Sequence, residues 1–175
     1  MGKGRKSRQV GMTLIEVLVS VLILGIGLLG AAAIQLNALR YTDSSAMTSQ
    51  ASFIAYDMMD RIRANMDGNA TNSGSTVLAS YGLASLAGAP SAANPNDAVA
   101  QDKFDFSSNI TAFAGAAGAA SSVVIDKRVV TITITWDDTR AAAASDTGLG
   151  KTASATNARQ FVLTSRIGVD DVVAQ

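Results

Sequence analysis

The chain has no cysteine and no histidine. Without histidine, neither a Ser-His-Asp nor a Cys-His nucleophile can be built, and the common histidine-containing zinc sites are excluded. Without cysteine no disulfide staples the fold, so its globular part relies on packing alone; the redox compartment stays open. Proline is nearly absent too: Pro90 and Pro95 are the only two, and the first half of the chain has none to break a helix. Glutamate occurs once, as Glu16; every other acid is aspartate. No nucleophile–base set and no metal-ligand cluster is visible. An enzyme is therefore the least supported class, and neither cofactor nor metal is expected.

The 175 residues suffice for one small domain plus an anchor. Lysine plus arginine and aspartate plus glutamate number 14 each, for a formal charge of zero. The distribution is lopsided. Lys3, Arg5, Lys6 and Arg8 all precede Met12, so ten basic side chains remain against fourteen acidic ones, a net charge of −4. A mildly acidic body without a basic stripe argues against nucleic acid as a direct partner.

The long apolar run is residues 12–34, MTLIEVLVSVLILGIGLLGAAAI, and the lone Glu16 is its fifth residue. As a helix this run is about 34 Å long, enough for a bilayer core of about 30 Å. A carboxylate within such a segment costs about 2.5–3.5 kcal/mol on insertion scales, so it needs a partner. The basic residues upstream predict a cytoplasmic N-terminus, with the rest of the chain outside the inner membrane. A secretory signal peptide would use Ala31-Ala32-Ala33 as its cleavage site and release a periplasmic binding protein. The apolar run exceeds the usual ~7–15 residues of such a peptide, and Glu16 would have no role in it. A plain uncleaved anchor leaves Glu16 equally unexplained.

The string GMTLIEVLVSVLILGIGLLG, behind the short basic leader MGKGRKSRQVG, resembles the start of type IV pilins and pseudopilins, and among them the PilV-type minor pilins. The resemblance implies a prepilin peptidase cut between Gly11 and Met12 and N-methylation of Met12. Phenylalanine is commoner there, and Met12 is a departure. It also implies that Glu16 is the subunit-assembly carboxylate, meeting the new terminal amine of a neighbouring subunit. Physically, an amine and a carboxylate in lipid are each costly alone, and pairing relieves both. The implied partners are other minor pilins and the major pilin, the prepilin peptidase/methylase, the inner-membrane pilus assembly machinery and the membrane itself. The implied location is the inner membrane before assembly and the pilus at the cell surface after it. A minor pseudopilin of a type II secretion system would share the leader and the glutamate.

Gly25, Gly27 and Gly30 spell G-x-G-x-x-G. The dinucleotide fingerprint needs a preceding strand and a helix opening at the glycines, whereas these lie inside an apolar helix pattern. Close helix–helix approach or local weakening of the helix explains them better. Pilins of this kind use helix-breaking residues in the zone for partial melting; without proline, the three glycines would supply that flexibility.

Met47, Ala51, Ile54, Met58 and Ile62 form one apolar stripe at helical spacing. Asp43, Ser45, Ser49, Asp57, Asp60 and Arg61 supply much of the polar remainder, with Asp57 and Arg61 a weak i, i+4 pair. Gly68 is the expected cap, so one helix is predicted over 12–66, about 82 Å long. Residues 69–120 read as a variable connection. Leu78, Tyr81, Leu83 and Leu86 suit a short helical turn, and Phe104 and Phe106 suit the start of an edge strand.

The clearest strand is 128–136, RVVTITITW, with Val130, Ile132, Ile134 and Trp136 alternating with threonines. A second runs over 159–167, with Phe161, Leu163 and Ile167 on one face, and a third lies near 123–126. The late strands also resemble the C-terminal sheet of PilV-type proteins. The expected fold is α+β and pilin-like: a long N-terminal helix packed on a small antiparallel sheet. The organisation is a leader at 1–11, a membrane or filament-core half-helix at 12–34, an amphipathic half at 35–66 and a head at 67–175.

Three minor patterns are read down. Gly148-Leu149-Gly150-Lys151-Thr152 hints at a phosphate loop, but Ser145 stands where glycine is required and no buried strand leads in. Asn69-Ala70-Thr71 and Asn109-Ile110-Thr111 match the glycosylation sequon by chance. Asp137-Asp138 and Asp170-Asp171 would bind calcium only if brought together; strand-end turns explain them better.

Overall fold

The computed structural model describes residues 11–66, 73–139 and 158–168. The basic leader before Gly11, Gly68, the sequon at Asn69, the loop carrying Gly148 to Thr152, and Asp170-Asp171 lie outside the described residues. Contacts divide the chain between Arg40 and Tyr41 into two units, each taken by itself below.

The first element, α1 (Leu14–Asn65), is a single helix of 52 residues. It begins after Thr13, whose carbonyl accepts from the Glu16 and Val17 amides at 3.1 and 3.3 Å. The expected helix over 12–66 is trimmed by one or two residues at each end, as frayed termini usually are. In the first unit α1 buries none of its side chains. In the second, Ala51, Ala55, Met58, Met59 and Ile62 are buried, and Met47 and Ile54 pack against them. The apolar stripe is therefore where its spacing put it, widened by Ala55 and Met59.

The head adds α2 (Ser73–Ser80) and α3 (Ala98–Ala114), with 3-10 turns at Leu86–Gly88 and Gly115–Gly118. Strands β1 (Ser122–Asp126), β2 (Val129–Asp137) and β3 (Ala158–Arg166) form one antiparallel sheet in the order β1-β2-β3. Its register sets Val123 opposite Ile132, Ile132 opposite Leu163 and Ile134 opposite Phe161. Val130, Ile132, Ile134 and Trp136 are buried, while the intervening threonines are half-buried, as strict alternation requires. Lys127 and Arg128 make the β1–β2 turn, with Lys127 at φ 55°. The sheet is thus the expected one, with strand ends that differ by one residue from the expected bounds.

Phe104 and Phe106 are a correction. They do not start an edge strand; both lie in α3. Asp97 caps that helix, its carboxylate accepting from the Ala100 amide at 3.1 Å. Buried Phe106 and Ile110, with Phe113 beside them, recur at spacings of four and three, and this helical period wins over the apparent alternation of the two phenylalanines. The helix stops at Gly115, in a positive-φ conformation. At Gly118 a Cβ would stand 2.5 Å from Ile110, so only glycine fits beneath that helix.

The expected turn around Leu78 to Leu86 is also more varied. Leu78 lies in α2, buried Tyr81 follows it, and Leu83 pairs with the outer edge of β1 through two 2.8 Å bonds to Val123. Leu86 opens the first 3-10 turn. The core joins α1, α2, α3 and the inner face of the sheet. The architecture is α+β, the second half of a long N-terminal helix on a small three-stranded antiparallel sheet.

Candidate functional site

Gly11, Met12 and Thr13 precede the first turn of α1, are exposed and adopt no regular structure. Nothing lies within 4 Å of a Cβ built on Gly11, and Met12 is 71% exposed. Among the described residues the Gly11–Met12 bond is thus exposed and outside regular structure.

Glu16 stands in the first turn, where the positive end of the helix dipole favours a carboxylate. Its backbone carbonyl accepts from the Ser20 hydroxyl at 2.6 Å. Its side chain is exposed and makes no hydrogen bond or ion pair among the described residues. Around it, every large apolar side chain faces outward: Leu14 is 85% exposed, Ile15 70%, Leu29 73% and Leu39 64%. Exposed apolar surface on this scale marks an interaction surface, lipid or protein. The helix is long and apolar enough to cross a membrane, and none of its most apolar window is buried.

Gly25, Gly27 and Gly30 lie inside α1, which runs through them without a break. Among the described residues no strand precedes them, and no helix opens there, so they lack the setting of a dinucleotide fingerprint. A Cβ at any of the three would meet nothing within 4 Å, so packing within the chain does not require glycine there.

Sequence reasoning missed a polar cluster in the head. Arg61 does more than pair with Asp57. Its Nε donates to Asp57 at 2.9 Å, and its Nη1 donates to Asp102 and Asp105 of α3 at 3.1 and 2.8 Å. The Tyr81 hydroxyl donates to Asp102 at 2.6 Å and accepts from the Asn65 amide at 2.8 Å. Gln101 donates to Asp105 at 2.8 Å. Burial alone would lower the Arg61 pKa, but its bonds to Asp102, Asp57 and Asp105 outweigh this and hold it above the usual range. Burial, then the bond to Asp102, pushes the Tyr81 phenol above its usual value, against the Asn65 bond. The cluster clamps α1 to α3. The i, i+3 spacing of Asp102 and Asp105 was its one signal in the sequence.

Asp137 ends β2, and Asp138 just beyond it is buried, accepting from the Ser44 hydroxyl at 2.5 Å. No group of three metal-capable side chains occurs among the described residues. Asn109 is exposed on α3.

Residues 6–32 match the family model of the prokaryotic N-terminal methylation motif. That motif is typical of type IV pilin-like proteins, and here it runs from residue 6 into the apolar start of α1. The match does not extend into the head. No curated protein and no solved structure matches the chain.

Proposed function

We propose that the chain is a minor pilin of a type IV pilus, of the PilV type, stored in the inner membrane as a precursor. One observation carries this reading: within the methylation motif, an open Gly11–Met12 bond precedes a fully exposed apolar helix whose first turn holds the only glutamate. In this reading the prepilin peptidase cuts after Gly11 and methylates the amine of Met12. Glu16, which has no partner among the described residues, pairs with that amine on the next subunit. The apolar surface passes from lipid to the helices of neighbouring subunits, so burial is conserved during assembly. Gly25, Gly27 and Gly30 each weaken the helix by about 1 kcal/mol relative to alanine and permit local melting in the filament.

The protein's role is structural: with other minor pilins it primes assembly or sits at the tip, supporting adhesion, twitching or DNA uptake. Ala31 to Ala33 lie within the unbroken α1, which favours cleavage at Gly11 over release at Ala33.

The test is the intact mass and N-terminal sequence of the protein recovered from cell envelopes. N-methylated Met12 at the terminus is the expected result. A terminus at Ile34 would make it an ordinary secreted protein. Pull-down then separates pilins from type II secretion pseudopilins as partners.

A further inference from the structure

We infer that residues 41–52 of α1 form a built-in opening point, a stretch that unwinds and re-forms while the helix beyond it stays packed. The inference does not depend on the filament reading. The stretch reads YTDSSAMTSQAS, and six of its twelve residues are serine or threonine: Thr42, Ser44, Ser45, Thr48, Ser49 and Ser52. The next thirteen, FIAYDMMDRIRAN, contain neither.

The hydroxyls are engaged in a particular way. Ser45 donates to the Tyr41 carbonyl, Thr48 to the Ser44 carbonyl and Ser49 to the Ser45 carbonyl, each at 3.0 Å, and Ser52 donates to the Ser49 carbonyl at 2.7 Å. Elsewhere in α1 such a bond occurs singly, at Ser20. A hydroxyl that bonds back to a helix carbonyl competes with the backbone amide, and such bonds weaken and bend helices. Four such bonds in succession concentrate this effect.

Packing differs in the same sense. Residues 41–52 contribute only Ala51 to the buried core, whereas 53–65 contribute Ala55, Met58, Met59 and Ile62 and carry the Arg61 clamp. Segments with few buried apolar contacts are the ones that open locally. The bond from Ser44 to buried Asp138 pins the stretch to the end of β2 and acts as its latch. Once opened, each residue lengthens from a helical rise of about 1.5 Å toward about 3.3 Å. The stretch is thereby an extensible link that leaves the core of the head closed.

Amide hydrogen exchange on the full-length chain in detergent micelles tests this. The amides of 45–52 should exchange at least ~10-fold faster than those of 55–62. The S45A/T48A/S49A/S52A variant removes the four back-bonds, places the best helix former at these positions, and should slow that exchange at least ~10-fold. Ser44→Ala should speed exchange over 41–52 and leave 55–62 unchanged. Equal protection of the two stretches, or unaltered exchange in the alanine variant, would overturn the inference. Because the readout involves no assembly, it is independent of whether the chain enters a filament.

Discussion

The two parts of α1 share one backbone ladder and little else. Up to Arg40 the side chains are almost all apolar and none is buried; from Ala51 onward about every third or fourth one enters a core. Local hydrogen bonding makes both parts helix, because an α-helix satisfies its backbone in lipid or in water. What differs is the solvent each side chain requires. The apolar part is finished only by lipid or another chain, whereas the amphipathic part is finished by α3 and the sheet. Glu16 and Arg61 show the same contrast for charge. Arg61 finds three aspartates within its own fold, and Glu16 has no partner among the described residues.

This contrast can be broken at either end. The largest effect is expected at Glu16. Glu16→Ala should leave cleavage after Gly11 intact, read by mass, yet reduce recovery in sheared pili at least ~10-fold, in keeping with the cost of a lone charge in lipid. Normal incorporation would remove the pairing argument. In the head, Ile132→Ala empties a fully buried site on the central strand and should cost about 2–5 kcal/mol by denaturant unfolding, without affecting cleavage.

Smaller effects sharpen the head's side of the comparison. Arg61→Met removes the cation from Asp57, Asp102 and Asp105. Because the site is about a third exposed, the expected loss is about 1–2 kcal/mol, less than for a fully buried pair. Arg61→Lys should recover only part of it, because lysine cannot fork to two carboxylates in the same way. The smallest effect is a matter of pH. The native Tyr81 phenol titrates higher than a free one. The folded state therefore keeps a proton that the unfolded chain releases above pH ~10. The Tyr81 contribution to stability should be constant below that value and fall as pH rises beyond it. The Tyr81→Phe variant should fall less steeply.

The sequence disclosed those features that depend on periodicity over a long stretch. The Met47 to Ile62 stripe and the alternation from Val130 to Trp136 both folded as read, since each pattern fits one element and one buried face. The oddity of Glu16 was equally plain, because one acid in an apolar run needs no structure to be noticed. Helix α3 was hidden because Ala, Ser and Asn give little contrast, and because Phe104 and Phe106 stand two apart. Only the Asp97 cap and the Phe106–Ile110–Phe113 spacing marked it. The rest of the Arg61 cluster, beyond the Asp57 pair, was illegible for a different reason: Asp102 and Asp105 come from an element some forty residues away, and only the fold brings them to Arg61. Leu83 was assigned by local pattern to a helical turn, and tertiary pairing with Val123 overrode that.

The order in which the sheet is threaded has a consequence in time. β1 and β2 are joined by two residues and can close on each other as soon as both exist, whereas β3 arrives after a connection of twenty residues. Phe161, Leu163 and Ile167, the last pieces of the core among the described residues, arrive with it. Long-range pairing is the slow step in forming a sheet. Until residue 167 has been delivered, the β2 edge stands unpaired, and through that interval the nascent head is most exposed to mispairing.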